Sequence, residues 1–133
     1  VTLVDTNVLI DVISRDRNWF AWSAGTLKTR SDLGSLLIND TVYSELSARF
    51  DSETLLDETV NTMDLKFERL PKRALFVAGR TFAIYRSAGG PRSNVVADFF
   101  IGAHAQVANL PILTRDIRRY KSYFPDVVLI APE

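Results

Sequence analysis

Val1-Thr2-Leu3-Val4-Asp5-Thr6-Asn7-Val8-Leu9-Ile10-Asp11-Val12 is the stretch whose reading decides the fold. Four residues with strong strand character run straight into an aspartate, and an apolar pattern at helical spacing follows. So short and apolar a β-branched run suits a strand buried on both faces, as in a parallel sheet. A carboxylate just past such a strand lies at its carboxyl end, where open α/β sheets bind their ligands. The question for the remaining chain is whether other acids converge on Asp5.

Working outward, Val8, Leu9, Val12 and Ile13 make one apolar helical face that ends near residues 14–17. Asp11 falls away from the Asp5 side of this helix and is expected at the surface. Trp19, Phe20, Trp22, Ala24 and Leu27 predict a second helix through about Lys28. Ser35-Leu36-Leu37-Ile38 reads as a second strand, with Asn39, Asp40 or Thr41 capping the helix that holds Val42, Tyr43, Glu45, Leu46 and Ala48. Residues 51–64 form an acidic helix with Leu55, Leu56, Val60 and Met63 as its stripe, its acids a solvated face. Residues 65–70 alternate and predict an edge strand.

Pro71 suits the first position of a helix whose stripe is Leu75, Phe76, Gly79, Phe82 and Ala83, broken by Gly89-Gly90-Pro91. Ser93 or Asn94 is placed to cap a helix over 95–108, Ile112-Leu113-Thr114 predicts a strand, and residues 127–130 predict a last one. Strands alternate with helices throughout. The expectation is an α/β chain, a three-layer α/β/α sandwich around a mainly parallel sheet, in a single domain over residues 1–133.

The 133 residues are 47% hydrophobic and 24% charged, which excludes disorder as the main reading. Without cysteine there is no disulfide, thiolate metal site or cysteine nucleophile. No apolar run approaches the roughly 20 residues that span a bilayer, and the opening segment is not built as a secretory leader. A cytoplasmic protein is expected. Net charge is zero but unevenly spread: residues 1–70 carry −5 and residues 71–133 carry +5. Such asymmetry points to an anionic ligand on the basic half.

Three more acids fall on the rim that Asp5 occupies. Glu45 lies early in the helix after the second strand, Asp98 in the first turn of an otherwise apolar helix, and Asp116 two residues past the 112–114 strand. Strand ends and the starts of the following helices share one edge of a parallel sheet. Asp98 is the most informative, because an ionised carboxylate among Val95, Val96, Ala97, Phe99, Phe100 and Ile101 is costly unless paired or bound to a cation. Four carboxylates in one pocket repel, and a divalent cation resolves this. Oxygen ligands with no cysteine select Mg²⁺ or Mn²⁺ over zinc. Asn7 and Thr114 are placed to orient the flanking carboxylates or to hydrogen-bond a metal-bound water. His104 lies about 240° round the helix from Asp98 and faces away from it.

These residues resemble a PIN domain, and more narrowly a VapC-type toxin ribonuclease. The likeness rests on residues 4–10 (Val-Asp-Thr-Asn-Val-Leu-Ile), Ser44-Glu45-Leu46, residues 96–103 (Val-Ala-Asp-Phe-Phe-Ile-Gly-Ala) and Leu113-Thr114-Arg115-Asp116. The resemblance implies a parallel α/β/α sandwich and a catalytic, metal-binding quartet of Asp5, Glu45, Asp98 and Asp116. It implies metal-dependent cleavage of RNA, a tRNA or rRNA among the possible substrates, leaving a 3′-hydroxyl. It further implies a homodimer and a small antitoxin that inserts residues into the active-site groove. The basic residues Arg86, Arg92, Arg115, Arg118, Arg119 and Lys121 are the expected RNA contacts, positioning phosphate without reading sequence.

Two other classes compete. A PIN-like module that binds RNA or protein without cutting needs no intact quartet. Phosphoryl chemistry on a similar sandwich fits poorly: an aspartate-nucleophile phosphatase wants Asp-x-Asp after the first strand, where this chain has Asp5-Thr6-Asn7.

Overall fold

Thr2–Val4 forms β1, in which all three residues are buried. A strand so enclosed has layers on both of its faces, and a computed structural model, describing residues 1–91 and 95–133, supplies them. The strands β2 (Leu36–Ile38), β3 (Leu65–Phe67), β4 (Ile112–Leu113) and β5 (Leu129–Ile130) join β1 in the order β3-β2-β1-β4-β5. Every pairing is parallel, with Leu3 opposite Leu37 on one side and Ile112 on the other. β3 is an edge strand, as its alternation predicts.

Parallel strands need crossovers, and helices provide them. They are α1 (Thr6–Ile13), α2 (Phe20–Leu33), α3 (Asp40–Ser47), α4 (Glu53–Thr62), α5 (Lys72–Ser87), α6 (Val96–Ala108) and α7 (Arg118–Tyr123). The result is the expected α/β/α sandwich. Leu3, Val4, Val8, Leu9, Ile38, Val42, Ile101, Ala103, Ile112 and Leu113 form the fully buried centre.

Local chemistry sets the boundaries. Asn39 is the N-cap of α3, its side-chain oxygen accepting from the Val42 N–H at 3.0 Å. Ser52 caps α4 in the same way through the Leu55 N–H. Asn109 ends α6 at φ 54°, a left-handed conformation that asparagine tolerates. His104 is buried, with its Nδ1 3.1 Å from the Asn39 amide nitrogen. Burial pushes its imidazole down, so the ring is a neutral brace behind the α3 cap, facing away from Asp98 as expected.

Three expectations are corrected. α2 runs to Leu33 rather than ending near Lys28; Thr29 and Ser31 bond to backbone carbonyls one turn back, and Lys28 pairs with Asp32 at 3.0 Å. Such local polar bonds extend a helix beyond its apolar stripe. Pro71 is the N-cap of α5 rather than its first residue. The α5 stripe is also turned: Ala74, Ala78 and Tyr85 face the core, whereas Leu75 and Phe76 are exposed. Small residues let α5 lie close against α6, and the larger apolar residues are left outside. Ser93 and Asn94, the expected caps of α6, lie outside the described residues, and Val95 holds its N-cap position.

One turn along α6 from Asp98, Gly102 faces the ring of Phe124, the residue that follows α7. A methyl group built at Gly102 overlaps that ring. Glycine is therefore what lets the C-terminal end of α7 seat against α6.

Candidate active site

The backbone of β1 turns into α1 at Asp5, which serves as the N-cap residue of that helix and is 5% exposed. Its Oδ2 accepts from the Thr114 hydroxyl at 2.8 Å, the Tyr120 hydroxyl at 2.9 Å and, more weakly, the Asn7 amide at 3.5 Å. Among the described residues no side chain donates to Oδ1. Burial pushes the Asp5 carboxyl up from its usual range; Thr114 and Tyr120 pull it down, and the charge of Glu45 adds to the rise.

Glu45 projects from α3, with Oε1 accepting from the Thr6 hydroxyl at 2.6 Å. Asp98 stands in the first turn of α6. Its carboxyl is raised to about 7, first by burial, then by Asp5, with further contributions from Asp116 and Glu45 against the opposing charge of Arg119. Asp116 lies on the turn between β4 and α7. Its carboxylate accepts from the Arg118 guanidinium through two bonds of 3.2 Å, and that partner holds it below the usual carboxylate range. All four acids therefore stand on one rim, near enough for Asp98 to feel the other three.

Two residues that donate to the acids are not marked by the sequence pattern. Thr6 reaches Glu45 across 39 positions, and Tyr120 reaches Asp5 across 115. Tyr120 lies in Arg118-Arg119-Tyr120-Lys121-Ser122-Tyr123, where nothing local marks one tyrosine over the other. Asn7 and Thr114 stand where expected: Asn7 donates to Asp5 and Thr114, and its oxygen accepts the Arg115 N–H at 3.2 Å.

Asp11 is corrected from surface to core, being 1% exposed. It accepts from both Nε and Nη2 of Arg115 at 2.7 and 2.9 Å, and from the Ser23 hydroxyl at 2.8 Å. The Arg115 guanidinium also lies over the Trp19 ring. The signal was available: Asn7 and Asp11 are four residues apart, so both face the 114–116 turn. Arg115 thus clamps that turn to α1 and α2.

The remaining expected RNA contacts differ in their surroundings. Arg118 is exposed beside Asp116, and Arg119 lies 3.7 Å from Asp98 with its guanidinium over the Tyr85 ring. Arg86 donates to the Gly90 carbonyl at the end of α5. Arg92 lies outside the described residues. Beside Glu45 opens a groove of about 520 Å³, walled by Leu70, Leu75, Val96 and Phe100 and bounded by the Arg69–Asp40 pair.

The donors suit a hard divalent cation in chemistry: all are carboxylate oxygens, and their mutual repulsion leaves Asp98 with a proton affinity that a cation would relieve. Among the described residues no three of them, as placed, close round a single point. Glu45 and Asp116 are the exposed members of the set.

The family model for the PIN domain matches residues 2–124. The chain is a PIN domain. Solved structures similar to this PIN domain include VapBC2 from Rickettsia felis bound to a DNA fragment from their promoter, at TM-score 0.75 and 17% identity over 99% of this chain and 98% of that one. VapBC-1 from nontypeable Haemophilus influenzae aligns at TM-score 0.73 and 16% identity, covering 98% and 96%. DNA-bound VapBC from Salmonella typhimurium aligns at 0.71 and 19%, again covering 98% and 96%. Identities this low establish a shared fold. Comparison with curated proteins gives no match. No helix of the described residues is long and apolar enough to cross a membrane.

Proposed function

We propose that this PIN domain is a divalent-metal-dependent endoribonuclease of the VapC type, the toxin of a toxin–antitoxin pair. The observation that carries the reading is the electrostatic coupling of the quartet. The Asp98 carboxyl is raised to about 7 by burial and by the charges of Asp5, Asp116 and Glu45, a concentration of negative charge suited to binding a cation. Asp5, Glu45, Asp98 and Asp116 would hold Mg²⁺ or Mn²⁺, which supplies an activated water and neutralises charge on a phosphodiester. Hydrolysis of this kind would join the water oxygen to phosphorus and break the P–O3′ bond, a water proton passing to O3′, to leave a 3′-hydroxyl and a 5′-phosphate. Arg118 and Arg119, next to the acids, are suited to the flanking phosphates of RNA.

The apolar groove beside Glu45 fits a segment of a protein partner, which supports an antitoxin at this face. The solved neighbours that carry VapBC in their descriptions support the same pairing. A homodimer and a cytoplasmic location accompany the reading.

The test compares RNA cleavage with and without Mn²⁺. Asp5→Asn and Asp98→Asn should each abolish the metal-dependent product while far-UV circular dichroism stays unchanged. Full activity in either variant sinks the assignment. The second reading, a module that binds without cutting, draws on the placement of Arg118 and Arg119 against Asp116 and Asp98. Absence of carboxylate-dependent Mn²⁺ binding by calorimetry decides for it.

A further inference from the structure

Three consecutive residues of one six-residue helix touch three of the four acids. Arg118 pairs with Asp116, Arg119 faces Asp98, and Tyr120 donates to Asp5. The two arginines have exposed or half-exposed side chains. Tyr120 is different: it is 1% exposed, and its one polar atom ends on Asp5 Oδ2.

A buried phenol needs a partner for its hydroxyl, and here that partner is the carboxylate on which the site is centred. Thr114, itself fully buried, donates to the same oxygen. With two short hydrogen bonds on Oδ2, the Asp5 carboxylate has little rotational freedom, and Oδ1 is the oxygen without a side-chain donor. Fixing a ligand's orientation through a hydrogen bond to its other face is how neighbouring groups tune a metal site.

We infer that Tyr120 is a positioning residue of the acid site: its hydroxyl, acting with Thr114, holds Asp5 Oδ2 and presents Oδ1 to the cation. The inference rests on the metal-dependent reading of the quartet and adds a residue to it. α7 is then the element that orients the acids, with Tyr120 as its buried anchor. The ring itself fills core volume, so the hydroxyl is the separable part.

Tyr120→Phe keeps the ring and removes the hydroxyl. Mn²⁺ affinity measured by calorimetry on the RNA-free protein should weaken roughly 10-fold or more, with the Mn²⁺ electron paramagnetic resonance spectrum broadened relative to wild type. Thr114→Val removes the second donor to the same oxygen and should act in the same direction, which keeps the inference testable where Tyr120→Phe fails to fold. Tyr123→Phe, one turn along and packed edge-to-face with Phe99 and Tyr85, should leave Mn²⁺ affinity unchanged. Wild-type affinity and spectrum in both Tyr120→Phe and Thr114→Val overturn the inference while leaving the nuclease reading intact. A wild-type protein that binds no Mn²⁺ overturns both.

Discussion

Asp98 carries the clearest consequence at the scale of one residue. Its carboxyl is raised to about 7 in the folded protein from its ordinary 3.8 in the unfolded chain, so between those values the native state binds the extra proton. Stability of the metal-free protein should therefore fall as pH rises from about 4 through about 7, and level off above. Melting temperatures from pH 5 to 8 check this; Asp98→Asn should flatten the slope and raise the melting temperature at pH 8 by about 3 °C or more. Mn²⁺ competes with that proton, so metal affinity should rise over the same interval. The four acids were legible in the sequence because each sits at a fixed offset from a strand end or helix start. Thr6 and Tyr120 were not, since a hydroxyl announces nothing until the fold brings a carboxylate to it. Asp11 was misjudged by considering its angle from Asp5 alone; its angle from Asn7 pointed to the 114–116 turn.

At the scale of elements, the turn between β4 and α7 is fastened to α1 and α2 through Arg115. Asp11, on α1, holds Arg115 through two bonds, and Ser23 of α2 joins the same carboxylate. Removing one partner of a mostly buried pair leaves the other uncompensated. Asp11→Ala should cost about 3 kcal/mol in urea unfolding and should also lower cleavage, because Thr114 and Asp116 flank Arg115. On α7, Arg119 opposes the charge of Asp98. Arg119→Gln should tighten Mn²⁺ binding roughly threefold or more at pH 8, measured by calorimetry, while raising KM for RNA. These opposite signs separate a cation that competes with metal from one that merely packs. Element order and type were readable from periodicity and capping. The facing of α5 was not, because Ala74 and Ala78 win the interface through closeness, and a count of large apolar residues favours Leu75 and Phe76.

For the whole molecule, the acid rim is a place where folding and ligand binding are linked. A cation that binds the native state and not the unfolded chain stabilises by about 2.7 kcal/mol at a hundred times its dissociation constant. Saturating Mn²⁺ should therefore raise the melting temperature of the wild type by several degrees, and by much less in Asp5→Asn. Differential scanning calorimetry with and without the ion makes the comparison. The parallel order β3-β2-β1-β4-β5 underlies this, since it places β1 in the centre and brings α1, α3, α6 and the 114–116 turn to one edge.

Gly102 has no polar side chain and lies one turn along α6 from Asp98, against Phe124. Yet the absence of a single methyl group there determines how deeply the last helix seats, and Tyr120 rides on that helix. The reach of a hydroxyl toward Asp5 is thus set by volume at a position with no chemistry of its own. Such a residue offers a way to detune the acids by bulk instead of charge, with every side chain that meets a substrate left unaltered.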